Sequence, residues 1–320
     1  MKVSYSQSLP ERLDTEEQLD ELLTRPSPRL VGSIQTISSP LVILGAGGKM
    51  GPTLCVLAKR AAEAAGHPLE IIAVSRFRDS RAREWLESHS VQTKSCDLLN
   101  DHSLAELPEA ENIVSLVGMK FGTAQNPATT WATNTIVTTR VAERYPRART
   151  VVLSTGNVYP LADVSLGGWP EDAALTPTGE YPNAAVARER LFEFHSRRQG
   201  TPIALLRLFY AVELRYGVLV DIARKVHAGQ AIELANGFFN CIWQSDAHEM
   251  ALRALPLAAS PPAIFNLCRP EVFSVRAVAV RLGELMGRAP LFLGAETETA
   301  LLGNSARLCA RLGTPSVNWK

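Results

Sequence analysis

The chain has 320 residues, 46% of them hydrophobic and 20% charged, with a formal net charge of +1. That is the composition of a soluble globular protein, long enough for one large α/β unit or two lobes sharing a core, and a balance so near neutrality makes nucleic acid and anionic membrane poor partners. Five scattered cysteines, Cys55, Cys96, Cys241, Cys268 and Cys309, show no CxxC spacing and point to free thiols in a reducing compartment, without a disulfide framework or a metal site.

The N-terminus, MKVSYSQSLPERLDTEEQLDELL, is polar and acidic, and no apolar run approaches a membrane span. A cytoplasmic protein is expected. Residues 1–40 form an extension ahead of the first predicted strand. In it Thr15 is placed to cap a short helix, EEQLDELL, ended by Arg25-Pro26, and the extension reads as a packing strap.

Residues 41–66, LVILGAGGKMGPTLCVLAKRAAEAAG, organise the rest. Leu41 to Leu44 read as a buried strand. A turn with Gly45, Gly47, Gly48 and Gly51 follows, and Leu54, Leu57, Ala58, Ala61, Ala62 and Ala65 then recur at helical spacing. Strand, glycine turn and helix in this order suit a dinucleotide pyrophosphate. Glycines let the backbone approach the phosphates, and the helix N-terminus offers free N–H groups. Lys49 and Met50 lie within the same turn.

LEIIAVS, residues 69–75, is the second predicted strand, followed by Arg76, Phe77, Arg78 and Asp79. Here a dinucleotide fold meets the adenosine ribose. Ser75 stands where an aspartate would hold the 2′-hydroxyl of NAD, and Arg76 follows. A serine and an arginine suit a 2′-phosphate, which favours NADP over NAD. The other reading makes Arg76 a solvated loop residue and gives the ribose of NAD to Asp79.

A helix over 81–90 and a short strand in VQTKSCDLLND lead to Asp97 and Leu98. Asp97 is placed either to meet the adenine or to serve as a turn or helix cap for residues 103–107. NIVSLVG, 112–118, is the fourth strand, with Val117 and Gly118 at its end, where glycine permits close backbone approach. The loop beyond it carries Lys120 and Phe121, substrate-side candidates, and runs into a helix holding Asn134. TVVLS, 150–154, is the fifth strand and opens into Ser154, Thr155, Gly156, Asn157, Val158, Tyr159 and Pro160. A loop of roughly 20 residues precedes Tyr181 at the head of a long helix, and IALLRLFY, 203–210, is the sixth strand. Six alternating units predict a doubly wound parallel sheet of Rossmann type in the α/β class.

In these residues the chain resembles the extended short-chain dehydrogenase/reductases, the nucleotide-sugar epimerase and dehydratase group. The likeness spans roughly residues 41–315. It rests on GAGGKMG at 45–51, CDLL at 96–99, Asn134, LSTGNVYP at 153–160, Tyr181, LLRLF at 205–209, IWQSDAHEMALRAL at 242–255 and FNLCRPEVFSVRAVAVRLGELMG at 265–287. The resemblance implies a nicotinamide dinucleotide and a sugar-like substrate. It implies Tyr181 as acid/base, Thr155 as the hydroxyl partner with Ser154 beside it, and a cofactor site drawing on the glycine turn, Asp97, Leu98, Val117, Gly118, Asn134 and Tyr181. It also implies a homodimer built on the helices at 127–145 and 182–199. The nucleotide-binding domain is expected at 41–212 plus about 236–268, with a smaller, mostly helical substrate lobe at 213–235 plus 269–320.

Departures from the family pattern are as informative. Four residues after Tyr181, where the family carries a lysine that holds the nicotinamide ribose and eases loss of the tyrosine proton, stands Ala185. Arg188, on the same helix face, and Lys120 are candidate replacements; for Arg188 the weightier alternative is a solvated ion pair with a helix glutamate. Asn240 and Cys241 stand where an arginine often meets a nucleotide phosphate, and YAVELRYG replaces a glycine-proline segment after the sixth strand. Asn157, Arg215, Tyr216 and Trp243 are substrate candidates, inter-lobe packing being the other role for the last three. A smaller carbohydrate or polyol becomes a plausible substrate. Three functions stay open: an NAD(P)-dependent epimerase or oxidoreductase, favoured here; a dehydratase or lyase that retains its cofactor; and a non-catalytic cofactor-binding scaffold or sensor.

Overall fold

The computed structural model describes residues 9–120, 122, 123 and 125–318. The chain divides into two compact units: residues 1–154, 179–206 and 248–264 form the first, and residues 155–178, 207–247 and 265–320 the second.

The central sheet has seven strands: β1 (Leu41–Leu44), β2 (Ile71–Ser75), β3 (Gln92–Ser95), β4 (Asn112–Ser115), β5 (Arg149–Thr155), β6 (Ile203–Leu208) and β7 (Ala263–Leu267). Their order is β7-β6-β5-β4-β1-β2-β3. β1 pairs in parallel with β2 (Leu41 opposite Ile71) and with β4 (Leu41 opposite Asn112). Strand order reverses between these two neighbours. In an open α/β sheet the crevice for a ligand lies at that reversal, beyond the carboxyl ends of the strands. The four residues of β1 are fully buried, which is why they read as an unbroken apolar run rather than an alternating one.

The first unit carries α1 (Glu16–Leu23), α2 (Pro28–Ile34), α3 (Gly51–Ala64), α4 (Ser80–Ser88), α5 (Asp101–Ala105), α6 (Pro127–Arg144) and α7 (Glu180–Gln199). Thr15 caps α1 by accepting the Gln18 N–H, as the sequence suggested. The extension is a strap welded to α3: Arg60 donates to Glu21 and Thr24, and Leu19, Leu23, Leu30, Ile34 and Ile37 are buried. Each such side chain contributes about 1.5–3 kcal/mol by leaving water. With α1 and α2 against it, nine residues of α3 are buried, more than a surface helix would show. Asn100 caps α5, accepting from Ser103 N at 3.0 Å. Asn100 therefore takes the cap considered for Asp97, and Asp97 takes the turn role, its Oδ1 accepting from Leu99 N at 3.0 Å.

In the second unit lie α8 (Val218–Ala228), α10 (Val275–Met286) and α11 (Ala306–Leu312), with α9 (Gln244–Arg253) beginning there. Short strand pairs join 211–212 with 242–243, 231–233 with 291–293, 238–239 with 273–274, and 162–163 with 299–300. The last pairing groups residues 155–178 with this unit, where the sequence had placed them with the nucleotide-binding part. The core here gathers Val212, Ile222, Val226, Leu234, Phe239 and Val278.

Candidate functional site

The glycine turn sits at the reversal. Gly45 N and Ala46 N both donate to Val74 O, at 2.9 and 3.0 Å, which ties the turn to β2. Gly45 has φ +81, and a Cβ there would stand 3.2 Å from the backbone of Leu116 and Val117. At Gly51 a Cβ would come within 2.3–2.5 Å of the Ala46 backbone, so only glycine lets α3 start this close to the turn. At Gly48 the nearest atom to an added Cβ is Gly45 O at 3.4 Å, so nothing in the fold itself demands a glycine. No side chain caps α3, whose first turn holds Pro52, so the positive dipole end of the helix meets the glycine turn without a capping side chain between them.

A cavity of about 400 Å³ opens beside this turn. Gly45, Gly47 and Gly48 line it from β1, Ser75 to Asp79 from β2, Cys96 to Leu99 from β3, Leu116 to Gly118 from β4, and Thr133 and Val137 from α6. Most of the expected cofactor residues therefore meet around one space: Gly45, Gly47, Gly48, Ser75, Arg76, Asp97, Leu98, Val117 and Gly118. Gly51 braces the turn from behind, and Lys49 and Met50 complete it. An added Cβ at Gly47 would strike Ser75 Oγ at 2.5 Å, so that glycine makes room for the serine that ends β2. Sequence reasoning missed Phe77, Arg78, Cys96 and Thr133 as lining residues. For Phe77 and Arg78 the signal was position, directly after the strand end that should meet the ribose.

Asp79 is already engaged. It caps α4 by accepting from Arg81 N at 3.0 Å, and the Arg81 guanidinium binds both its oxygens. These hydrogen bonds hold its carboxyl below the usual range. The cavity wall at this end therefore presents Arg76 and Arg78, with the carboxylate turned to Arg81.

On the β4 side the wall is backed by a buried cation. Arg188 of α7 is 3% exposed, and its Nη1 donates to Val117 O at 2.9 Å and to Asn134 Oδ1 at 3.0 Å. Asn134, fully buried, donates in turn to Thr130 O. The solvated ion pair expected for Arg188 is thus corrected: the side chain runs inward to the end of β4, and among the described residues it forms no ion pair. Ala185 is fully buried as well. Ser154 donates to Glu189, also buried and also missed by the sequence reading. Desolvation, and then Lys49, hold the Lys120 ammonium below the ordinary lysine range. Phe121 lies outside the described residues.

A model of the NAD dependent epimerase/dehydratase family matches residues 41–267. The chain belongs to that family. No curated protein matches the sequence, but solved structures share the fold. The UDP-glucose 4-epimerase of Thermotoga maritima, determined with UDP-glucose, is 16% identical with a TM-score of 0.70, over 87% of this chain and 94% of that one. A dTDP-glucose 4,6-dehydratase from Streptomyces venezuelae, with NAD and TYD bound, is 16% identical with a TM-score of 0.72, over 88% and 93%. The UDP-glucuronic acid 4-epimerase of Bacillus cereus, with UDP-glucuronic acid and NAD, is 16% identical with a TM-score of 0.69, over 87% and 95%.

An epimerase/dehydratase family member is expected to hold NAD, and the residues fit such a group. The glycine turn leaves Gly48 open, α3 begins without a side-chain cap, and the cavity continues from the turn to the end of β2. The residues expected to handle protons are set at the ends of elements. Tyr181 is half-buried in the first turn of α7. In the second unit Thr155 ends β5, and its Oγ1 accepts from Asn157 N at 3.2 Å, which leaves its own hydroxyl proton to donate. Tyr159, which follows Val158 in the LSTGNVYP stretch, is buried in a network with Asn266 and Arg207, a structural role.

The other substrate candidates lie in the second unit. Trp243 is half-buried on a strand paired with 211–212. Arg215 Nε is held 3.1 Å from Glu213 Oε1, and Glu213 is buried. Tyr216 donates to Gln244, and burial pushes its phenol up to about 12. Asn240, which stands in place of an arginine, is fully buried and donates to Glu271 O while accepting from Gly303 N.

Proposed function

We propose that the protein is an NAD(P)-dependent epimerase or oxidoreductase acting on a hydroxyl or keto group of a sugar-like substrate. The observation that carries this reading is the cavity at the strand-order reversal, where the glycine turn, Ser75 to Asp79 and Gly118 meet around one space. When bound, the nicotinamide supplies the means to accept and return a hydride. The rest falls to the chain. Tyr181 takes the proton from the substrate hydroxyl and returns it, and Thr155 donates a hydrogen bond to the same oxygen, steadying charge that develops there. UDP- and dTDP-sugars belong to the structurally similar epimerases and dehydratase. Asn240, buried and hydrogen-bonded where the family often carries an arginine for a nucleotide phosphate, supports a smaller sugar-like substrate for this chain.

Arg76 and Arg78 on the cavity wall, with Asp79 occupied by Arg81, support NADP over NAD. Exposed Trp131, Ile136 and Phe194 on α6 and α7 support pairing of two copies through those helices.

The test is turnover. The protein is offered sugars and sugar acids with oxidised and reduced dinucleotide, and absorbance at the reduced-nicotinamide band is followed beside product analysis. Isomer formation without net cofactor change marks an epimerase, and stoichiometric consumption an oxidoreductase. Loss of water from the sugar with no net cofactor change marks a dehydratase. Tyr181→Phe should lower kcat at least about 100-fold. Turnover retained at wild-type rate in Tyr181→Phe would contradict the acid/base role.

A further inference from the structure

Arg188 is a buried cation without a counter-charge. Its two acceptors, Val117 O and Asn134 Oδ1, are neutral, its buried Nε has no partner, and among the described residues it forms no ion pair. Removing a guanidinium from water without an anion is costly, so a fold keeps one there only where something else depends on the charge. The location says what depends on it. Gly118 lines the dinucleotide cavity at the end of β4, and a Cβ added to it would lie 2.5 Å from Arg188 Nη1. The guanidinium therefore stands directly behind the cavity wall, and Gly118 is glycine because the cation occupies the space a side chain would take. In a doubly wound sheet the adenosine half lies over the β1–β2–β3 side and the other half of the dinucleotide over the β4–β5 side.

We propose that Arg188 is a positioning residue for the nicotinamide-side half of the bound dinucleotide: through Val117 and Asn134 it fixes the backbone at Gly118, and its uncompensated charge favours the dinucleotide's diphosphate at that wall. This rests on the dinucleotide reading above. Two features give the arrangement its physical sense. A carbonyl bonded by a guanidinium is held more firmly than one bonded by a neutral donor. An arginine keeps its charge at every working pH, so the support does not titrate.

The test compares whole and half ligands on the purified full-length chain. NADPH and NADH are titrated by nicotinamide fluorescence, and 2′,5′-ADP, which carries only the adenosine half, is measured by competition or calorimetry. Arg188→Met should weaken dinucleotide binding at least about tenfold while 2′,5′-ADP binding stays within about twofold. Arg188→Lys, which keeps the charge, should fall between wild type and Arg188→Met. Equal weakening of the whole and half ligands would overturn the proposal, because it marks a general structural defect. Unchanged dinucleotide binding in Arg188→Met would overturn it too. If Arg188→Met fails to fold, Arg188→Lys carries the same comparison. A wild-type chain that binds neither NADPH nor NADH overturns the dinucleotide reading and this proposal with it, whereas wild-type binding with uniform loss in the variants overturns the proposal alone.

Discussion

Gly51→Ala is the sharpest test of the cavity's construction, because two physical effects give it opposite signs. Alanine is the better helix former by about 1 kcal/mol, so on propensity alone the first turn of α3 would gain. Geometry says otherwise. The new Cβ would stand 2.3 Å from Ala46 O and 2.5 Å from Ala46 C and Cα, against 3.4 Å for ordinary contact. The helix start and the glycine turn would have to part by about 1.1 Å, and since the obstacle is backbone, no rotamer change relieves it. Overpacking of this kind costs about 1–3 kcal/mol. The displaced turn would also lose one or two backbone hydrogen bonds to the phosphates, each worth about 1.5–3 kcal/mol when the acceptor is charged, which weakens binding at least about tenfold. The assay is thermal unfolding with and without dinucleotide, beside a fluorescence titration. At a ligand concentration 100 times the wild-type Kd, the wild type gains about 2.7 kcal/mol from binding, and Gly51→Ala should gain no more than about 1.4. Gly32→Ala is the control. Nothing lies within 4 Å of its Cβ position and its φ is not left-handed, so it should be neutral or slightly stabilising. Gly51→Ala binding dinucleotide within twofold of wild type would refute the reasoning.

Arg76→Ala should raise the Kd for NADPH about tenfold and leave that for NADH within about twofold. Equal affinities for the two in wild type and variant alike would remove the 2′-phosphate role. His248 is fully buried, among the described residues neither ring nitrogen has a partner, and desolvation pushes its imidazole down to about 3 from 6.5. Its folded value lies below its unfolded one, so the folded state resists protonation. Stability from this group is intact above pH 6.5 and is lost as pH falls toward 3, by about 1.4 kcal/mol per pH unit at most. Denaturant melts of wild type and His248→Leu should therefore diverge below pH 6.5, with the wild type the steeper. Parallel pH curves would show that His248 is not the source.

Much of the nucleotide-binding architecture could be read from residue patterns because it depends on local rules. β1 is an apolar run closed by glycine, α3 follows with helical spacing, and Thr15 caps α1 three residues before the N–H it accepts. What could not be read depends on residues far apart in the chain. Arg188 looked like a surface residue of a charged helix. It turns inward because Val117, Gly118 and Asn134, more than 50 positions earlier, offer two oxygens and a missing side chain. Residues 155–178 followed the fifth strand in sequence and were read with it, yet their partner strand lies at 299–300. That pair is two residues long on each side, too short for any alternation to announce it.

The most direct measurement is an equilibrium titration of the purified chain with NADPH and NADH, followed by nicotinamide fluorescence. The expected result is saturable binding of one dinucleotide per chain, tighter for NADPH than for NADH. Fluorescence unchanged by either dinucleotide up to millimolar concentration, with no protection against thermal unfolding, would contradict it.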